Sequence, residues 1–217
     1  MQVNNVETLF QKTLQDSDLT AKQQAVLSVS LNLFAAQGFD RTSTSEIAQA
    51  AGVSEGTVFK QFKTKDGILR AIIDPVLDQV IPMAATEFMT EIDAAKITDF
   101  ENFLSYVLED RMTFALENQQ QIKVFAQEII RQPSLIQVLL NKVQTLITSK
   151  VGDIFRNFQA SGQLVDWPVS QIARYIVGTI VSYVLPQILF QLDTNFDVKQ
   201  ASHDAAKFLA RGLAPEK

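Results

Sequence analysis

The chain has 217 residues, a net charge of −5 and no cysteine, which excludes a disulfide framework, thiolate catalysis and a cysteine-based metal site. Hydrophobic residues make up 47% and charged residues 20%, the balance of a globular protein with a buried core. An acidic protein of this kind does not coat nucleic acid indiscriminately, so any such contact must be local.

The first residues lack the basic start and apolar core of a secretory signal, and the cytoplasm is the expected compartment. Val6, Leu9, Phe10 and Leu14 have helical spacing, which predicts an amphipathic helix in an N-terminal extension (residues 1–19), frayed as termini often are. Lys12 is its sole base against Glu7, Asp16 and Asp18, so it is not expected to touch DNA.

Thr20 and Gln23 form a capping box for a helix running to about Gln37, closed by Gly38, with Val26, Val29, Leu33 and Phe34 as its buried stripe. Ser43 and Glu46 form a second box for a short helix that ends at Gly52, with Ile47, Ala48 and Ala51 inward. Ser54 caps a third helix, Glu55 to about Phe62, whose inner residues are Val53, Val58 and Phe62. Two short helices around a Gly-containing turn make a helix-turn-helix, whose second helix fits the major groove of DNA. Thr57, Lys60 and Gln61 are left facing outward, and Gly56 costs helix stability but lets a large partner approach the backbone. Between Thr20 and Arg70 six basic residues stand against four acidic ones, a net of +2 on a chain that is otherwise −7. A mildly basic head on an acidic body suits DNA contact through one small surface.

Leu31, Leu33-Phe34-Ala35, Gly38-Phe39, Thr42-Ser43-Thr44, Ile47-Ala48, Ala51-Gly52-Val53-Ser54, Gly56-Thr57-Val58-Phe59, Phe62 and Lys65 together resemble the DNA-binding domain of TetR-type (tetracycline-repressor-like) transcriptional regulators. The likeness covers Lys22 to Arg70, about a quarter of the chain. It implies an all-α fold, with a three-helix helix-turn-helix domain (20–66) followed by a larger helical ligand-binding and dimerisation domain (67–217). It also implies that Thr44, Ser54 and Lys65 hold phosphates, that Thr57, Lys60 and Gln61 read base edges, and that Gly56 admits the backbone. Phe59 stands where the family often has Tyr, which removes a hydroxyl contact and leaves stacking on sugar or a thymine methyl.

Thr64 caps a further helix from Lys65 to Leu77 or Val80, with Pro75 inside it as an expected kink. Helical segments are then expected at Pro82 to about Ala94, at Phe100 to Leu116 behind Asp99, and at Gln119 to Ile130 before a break at Arg131-Gln132-Pro133. One long helix, Leu135 to Ala160, should close at Gly162, and the last two helices run 169–191 and 198–213, the latter capped by Asp197. Tyr175 to Leu192 carries no charge over eighteen residues, so it is a marginal membrane span by length. The interruptions at Ser182, Pro186, Gln187 and Gln191 favour instead a helix buried on every side. Burial of that extent is easiest if a second copy covers one face, and similar regulators form homodimers through their last two helices.

Enzymatic chemistry has no support: His203 is the sole histidine, in a polar stretch, and no nucleophile–base pair or phosphate loop is present. No cofactor is implied, and Glu109-Asp110 and Glu87/Glu91 read as exposed acidic faces more readily than as metal ligands. Phe88, Phe103, Tyr106, Phe125 and Phe155 are candidate lining for a small hydrophobic effector, and each is equally an ordinary core aromatic. The expected function is a DNA-binding repressor released from a near-palindromic operator by that effector. The alternatives are a small-molecule-binding helical protein without operator specificity and a membrane-associated helical protein.

Overall fold

The computed structural model describes residues 5–132, 134–146, 151–190, 192–193 and 195–215, and they are helical throughout, with no strand among them. They fall into two compact units. The first joins Asn4–Ala84 with Asn118–Ser134, and the second joins Ala85–Glu117 with Leu135–Lys217.

The first unit starts with α1 (Val6–Gln15), the amphipathic helix expected in the N-terminal extension. Asn5 Oδ1 accepts from the Glu7 and Thr8 N–H groups, and Phe10 and Leu14 are fully buried. The Val6 N–H donates to Asn118 Oδ1 at 2.7 Å, tying α1 to the start of α8 (Gln119–Arg131). Helix α2 (Ala21–Gln37) begins on the expected Thr20–Gln23 box. Its buried set is Val26, Leu27, Ser30, Leu31 and Phe34, so Val29 and Leu33 of the expected stripe are only half-buried. The reason is that α2 packs against four elements, α1, α3 (Thr44–Ala50), α5 (Lys65–Pro75) and α8, and a single stripe cannot serve four neighbours.

Both short-helix boundaries follow from their caps. Ser43 and Glu46 form a complete box before α3, and Gly52 (φ 66°) closes it as the Val53 N–H reaches back to the Ala48 carbonyl. Ser54 accepts from the Thr57 N–H to start α4 (Glu55–Phe62). Ile47, Ala48 and Val58 are buried, while Ala51, Val53 and Phe62 are half-buried. The corner after α4 is tight. Lys63 sits at φ 66°, ψ −46°, and the Thr64 N–H donates to the Phe62 carbonyl two residues back, the strained γ-turn of positive φ. A Cβ on Gly67 would lie 2.1 Å from that same carbonyl oxygen, so only glycine fits beneath the corner.

The helix after Thr64 does not stop at Leu77 or Val80. Past Pro75 it continues as a π-helical segment (Val76–Val80) and then as α6 (Ile81–Ala95). The π segment directly follows Pro75, where the sequence predicts a kink, and the Ile81 N–H closes it on the Val76 carbonyl.

In the second unit α7 (Phe100–Glu117) is central, packing on both α11 (Val169–Phe190) and α12 (Val198–Gly212). Ser202, Ala205 and Ala206 are the buried residues that let α12 approach α7 closely. Asp99 and Asp197 cap α7 and α12 as expected. Within the anticipated Leu135–Ala160 helix the structure describes α9 (Ser134–Leu146) and α10 (Gly152–Ala160), and residues 147–150 lie outside the described residues, as does 191 at the expected end of α11. Gly162 (φ 71°) closes α10, with the Gln163 N–H on the Phe158 carbonyl.

Complete burial of α11 is not found in the single chain. The helix is long and apolar enough to cross a membrane by length and composition, yet only 28% of its most apolar window is buried. Ile172, Ala173, Ile176, Val184 and Ile188 face inward, and Tyr175, Val177 and Val181 remain exposed.

Candidate nucleic-acid interface

The outer side of α4 is built by its cap and its spacing. With Val58 buried, Gly56 and Lys60 share one exposed strip four residues apart, and Thr57 and Gln61 lie beside them, half-buried. Phe59 borders the strip with 47% of its surface in solvent. A Cβ on Gly56 would come no closer than 3.9 Å to the Ser54 hydroxyl, so nothing inside the protein demands glycine there.

The hydroxyls expected to reach phosphates are engaged within the unit. Ser54 Oγ and Thr57 Oγ1 are 2.9 Å apart, and Thr44 Oγ1 donates to Glu55 Oε1 at 2.7 Å. This last bond joins the first turns of α3 and α4 at the end where their N–H groups gather. Lys65 is placed differently from the residues beside it. Its ammonium donates to the carbonyls of Phe39 (2.8 Å), Thr42 (3.0 Å) and Asp40 (3.3 Å) and stands 4.4 Å from the Phe39 ring centre. All three of its protons are spent fastening the loop before α3, so in this arrangement it positions the reading helices.

Arg131 reads in the sequence only as part of a chain break, and the structure makes it a fastening residue. Its guanidinium binds Glu128 Oε2 (2.8 Å) and Asp66 Oδ1 (2.6 Å) and lies 4.8 Å from the Phe39 ring. Hydrogen bonds to Glu128 and then Asp66 hold it above its already high ordinary pKa, so it is a fixed charge. Glu128 is buried, at 4% exposure, and Arg131 is its counter-ion. No periodicity signals such a bond, because Asp66 and Arg131 are 65 residues apart.

Of the five candidate effector residues, the structure shows Phe103 and Phe155 in contact. Phe103 and Phe155 are buried and meet edge to face, centroids 6.2 Å apart, in a cluster completed by Phe100 and Phe158. Those two additions were legible as i, i+3 partners of the residues chosen. Phe103 also lines a cleft of about 490 Å³ with Ile92, Lys96, Phe158 and Gln163. Phe88 and Tyr106 belong instead to the surroundings of Arg111 on α7, and Phe125 falls in the first unit. Burial, then the charges of Glu91 and Asp110, push the Tyr106 phenol above its ordinary pKa, against a smaller opposing effect of Arg111. His203 is exposed, and no cluster of potential metal ligands occurs among the described residues.

Residues 26–72 match the family described as "Bacterial regulatory proteins, tetR family". The chain is 32% identical over 105 residues to the HTH-type transcriptional regulator AcrR of Shigella flexneri, and that match spans about half (47%) of the relative's length and 48% of this chain. It is 24% identical over 194 residues to the fatty acid metabolism regulator protein of Bacillus subtilis, covering 88% of this chain and 95% of the relative. A transcriptional regulator of Saccharomonospora viridis, solved in complex with choline, superimposes with a TM-score of 0.67 at 16% identity, over 90% of this chain and 98% of that one, a likeness of fold.

Proposed function

We propose that this chain, a member of the TetR family of bacterial transcriptional regulators, is a repressor that binds a near-palindromic operator as a homodimer and leaves it when a small effector enters the helical body. The observation that carries this reading is the exposed strip of α4, where Gly56 and Lys60 stand open beside Thr57 and Gln61. Lysine favours guanine and glutamine favours adenine at the major-groove edge. Residues 20–66 act as the reader and 67–217 as the sensing and dimerising part, in the cytoplasm and without catalysis.

The second copy packs against α11 and α12, covering the exposed Tyr175, Val177, Val181 and Phe208 in a four-helix arrangement about a two-fold axis. Two recognition helices then meet half-sites about one DNA turn apart, roughly 34–36 Å. An effector that prefers another spacing of the heads releases DNA by linkage. The relatives do not name its class: one is a fatty acid metabolism regulator protein and another was solved in complex with choline.

A gel shift on DNA flanking the protein's own gene tests the proposal. Expected is a complex that survives competitor DNA, weakens steeply with salt and is lost in the Lys60→Ala/Gln61→Ala double variant. Equal affinity for unrelated DNA would refute it. The exposed apolar face of α11 also admits the membrane reading, which recovery of the chain in the soluble extract as a dimer would exclude.

A further inference from the structure

The planar cation of Arg111 is held in the second unit like a ligand. Its guanidinium carbon stands 3.9 Å from the ring centre of Phe88 on α6 and 4.9 Å from that of Phe114 on α7, both within cation–π range. Its Nε donates to Asp110 Oδ2 at 2.6 Å, and Nη2 contacts the same oxygen. The two partners differ in burial: the Asp110 side chain is 4% exposed and that of Arg111 21%, so the arginine has a way out to solvent and the carboxylate does not. Glu91 and Tyr106 complete the surroundings, with Glu91 near enough to act on the phenol.

From this geometry we infer that Phe88, Phe114 and Asp110 form a binding site for an apolar organic cation, which Arg111 occupies until the cation displaces it. The choice of charge follows from Asp110. A neutral or anionic occupant that expelled Arg111 would strand a buried carboxylate, whereas a cation replaces the lost counter-ion and keeps both ring contacts. The nearby charge has the same sign, since Glu91 and Asp110 both act on the neighbouring Tyr106 phenol. A long flexible arginine can leave by moving its side chain alone, so the site opens without unfolding either helix. This identifies the effector class of the regulator proposed above, and it rests on that reading.

Tetraphenylphosphonium and tetraphenylborate, nearly identical in shape and opposite in charge, provide the test by calorimetric titration of the full-length protein. Expected is saturable binding of the phosphonium, one per subunit, at least tenfold tighter than the borate. Arg111→Ala should tighten phosphonium binding by tenfold or more by clearing the site, and Asp110→Asn and Phe88→Leu should each weaken it by about tenfold. Should Asp110→Asn fail to fold, Glu91→Gln, outside the buried pair, must still weaken the phosphonium and leave the borate unaffected. Preference for the borate, or phosphonium binding indifferent to both Arg111→Ala and Phe88→Leu, overturns the inference. Operator DNA is assayed alongside. A protein that shifts DNA and ignores the phosphonium loses only this inference, and one that binds the phosphonium but no operator loses the regulator reading instead.

Discussion

The two units leave very different surfaces. Among the described residues eleven large apolar side chains stand exposed, and nine belong to the second unit: Ile136, Val138, Leu140, Tyr175, Val177, Val181, Phe190, Leu192 and Phe208. In the first unit only Phe59 and Ile130 do so, and Phe59 borders the proposed reading strip. The first unit is instead closed by side chains that fasten helix ends and loops: Asn118 on α1, Lys65 on three carbonyls, Arg131 on Asp66. A reader must present fixed groups to a fixed duplex, and its own chain supplies the restraints. On the reading proposed above, a sensing and dimerising body has to accept partners, and exposed apolar faces are what such partners would cover.

That contrast is best attacked first at the corner after α4. Gly67→Ala places a methyl 2.1 Å from the Phe62 carbonyl oxygen, and neither backbone can yield without opening the γ-turn. A loss of about 3 kcal/mol is expected from such overpacking, read by urea denaturation, with operator binding lost as well. A variant of wild-type stability would show that the corner is not held as described. Arg131→Ala comes next. It leaves the buried Glu128 carboxylate without its cation and should cost about 2 kcal/mol, below the usual range for a broken buried pair because Arg131 itself is half-exposed. The same denaturation reads it, and Glu128→Gln in the Arg131→Ala background should recover part of the loss.

Gly56→Ala separates reading from folding. The free protein has room for the methyl, so thermal stability should hold or rise, by at most about 1 kcal/mol from helix propensity. Operator affinity should nonetheless fall about tenfold, roughly 1.4 kcal/mol, as the methyl obstructs the approaching phosphodiester. Unchanged affinity in the gel shift would place the duplex elsewhere on the unit.

How much could be read in advance follows the same division. Caps are local chemistry: Thr20 with Gln23, Ser43 with Glu46, Ser54, Thr64, Asp99 and Asp197 each lie within three residues of the N–H they satisfy, so the helix starts of both units were visible in sequence. The burial of α2 is wider than one stripe, because four packing neighbours leave no single periodicity to follow. Lys65 was legible as a motif position, while the three carbonyls that take its protons come from a loop 23 to 26 residues away. The fastening of Phe39 by Arg131 and the cradling of Arg111 by Phe88 depend on contacts between distant helices, which spacing along the chain does not encode.

The smallest effect expected is also the most local. Glu46 is fully exposed, yet the Ser43 N–H and then the Ser43 hydroxyl hold its carboxylate below the usual value of 4.5. A depressed carboxylate contributes stability above its unfolded value and loses it as pH falls through the folded one. The first turn of α3 should therefore loosen on acidification below about pH 4.5 while the caps of α2 and α4, which rest on Thr20, Gln23 and Ser54, are unaffected. Hydrogen exchange at the Ser43 and Glu46 amides reads this directly. Glu46→Gln keeps an acceptor for the Ser43 N–H and removes the titration, so it should abolish the pH dependence at those amides while operator binding persists. If the variant loses protection at every pH, the charge is required for the cap itself, and the head is less completely fastened by neutral hydrogen bonds than the contrast with the body implies.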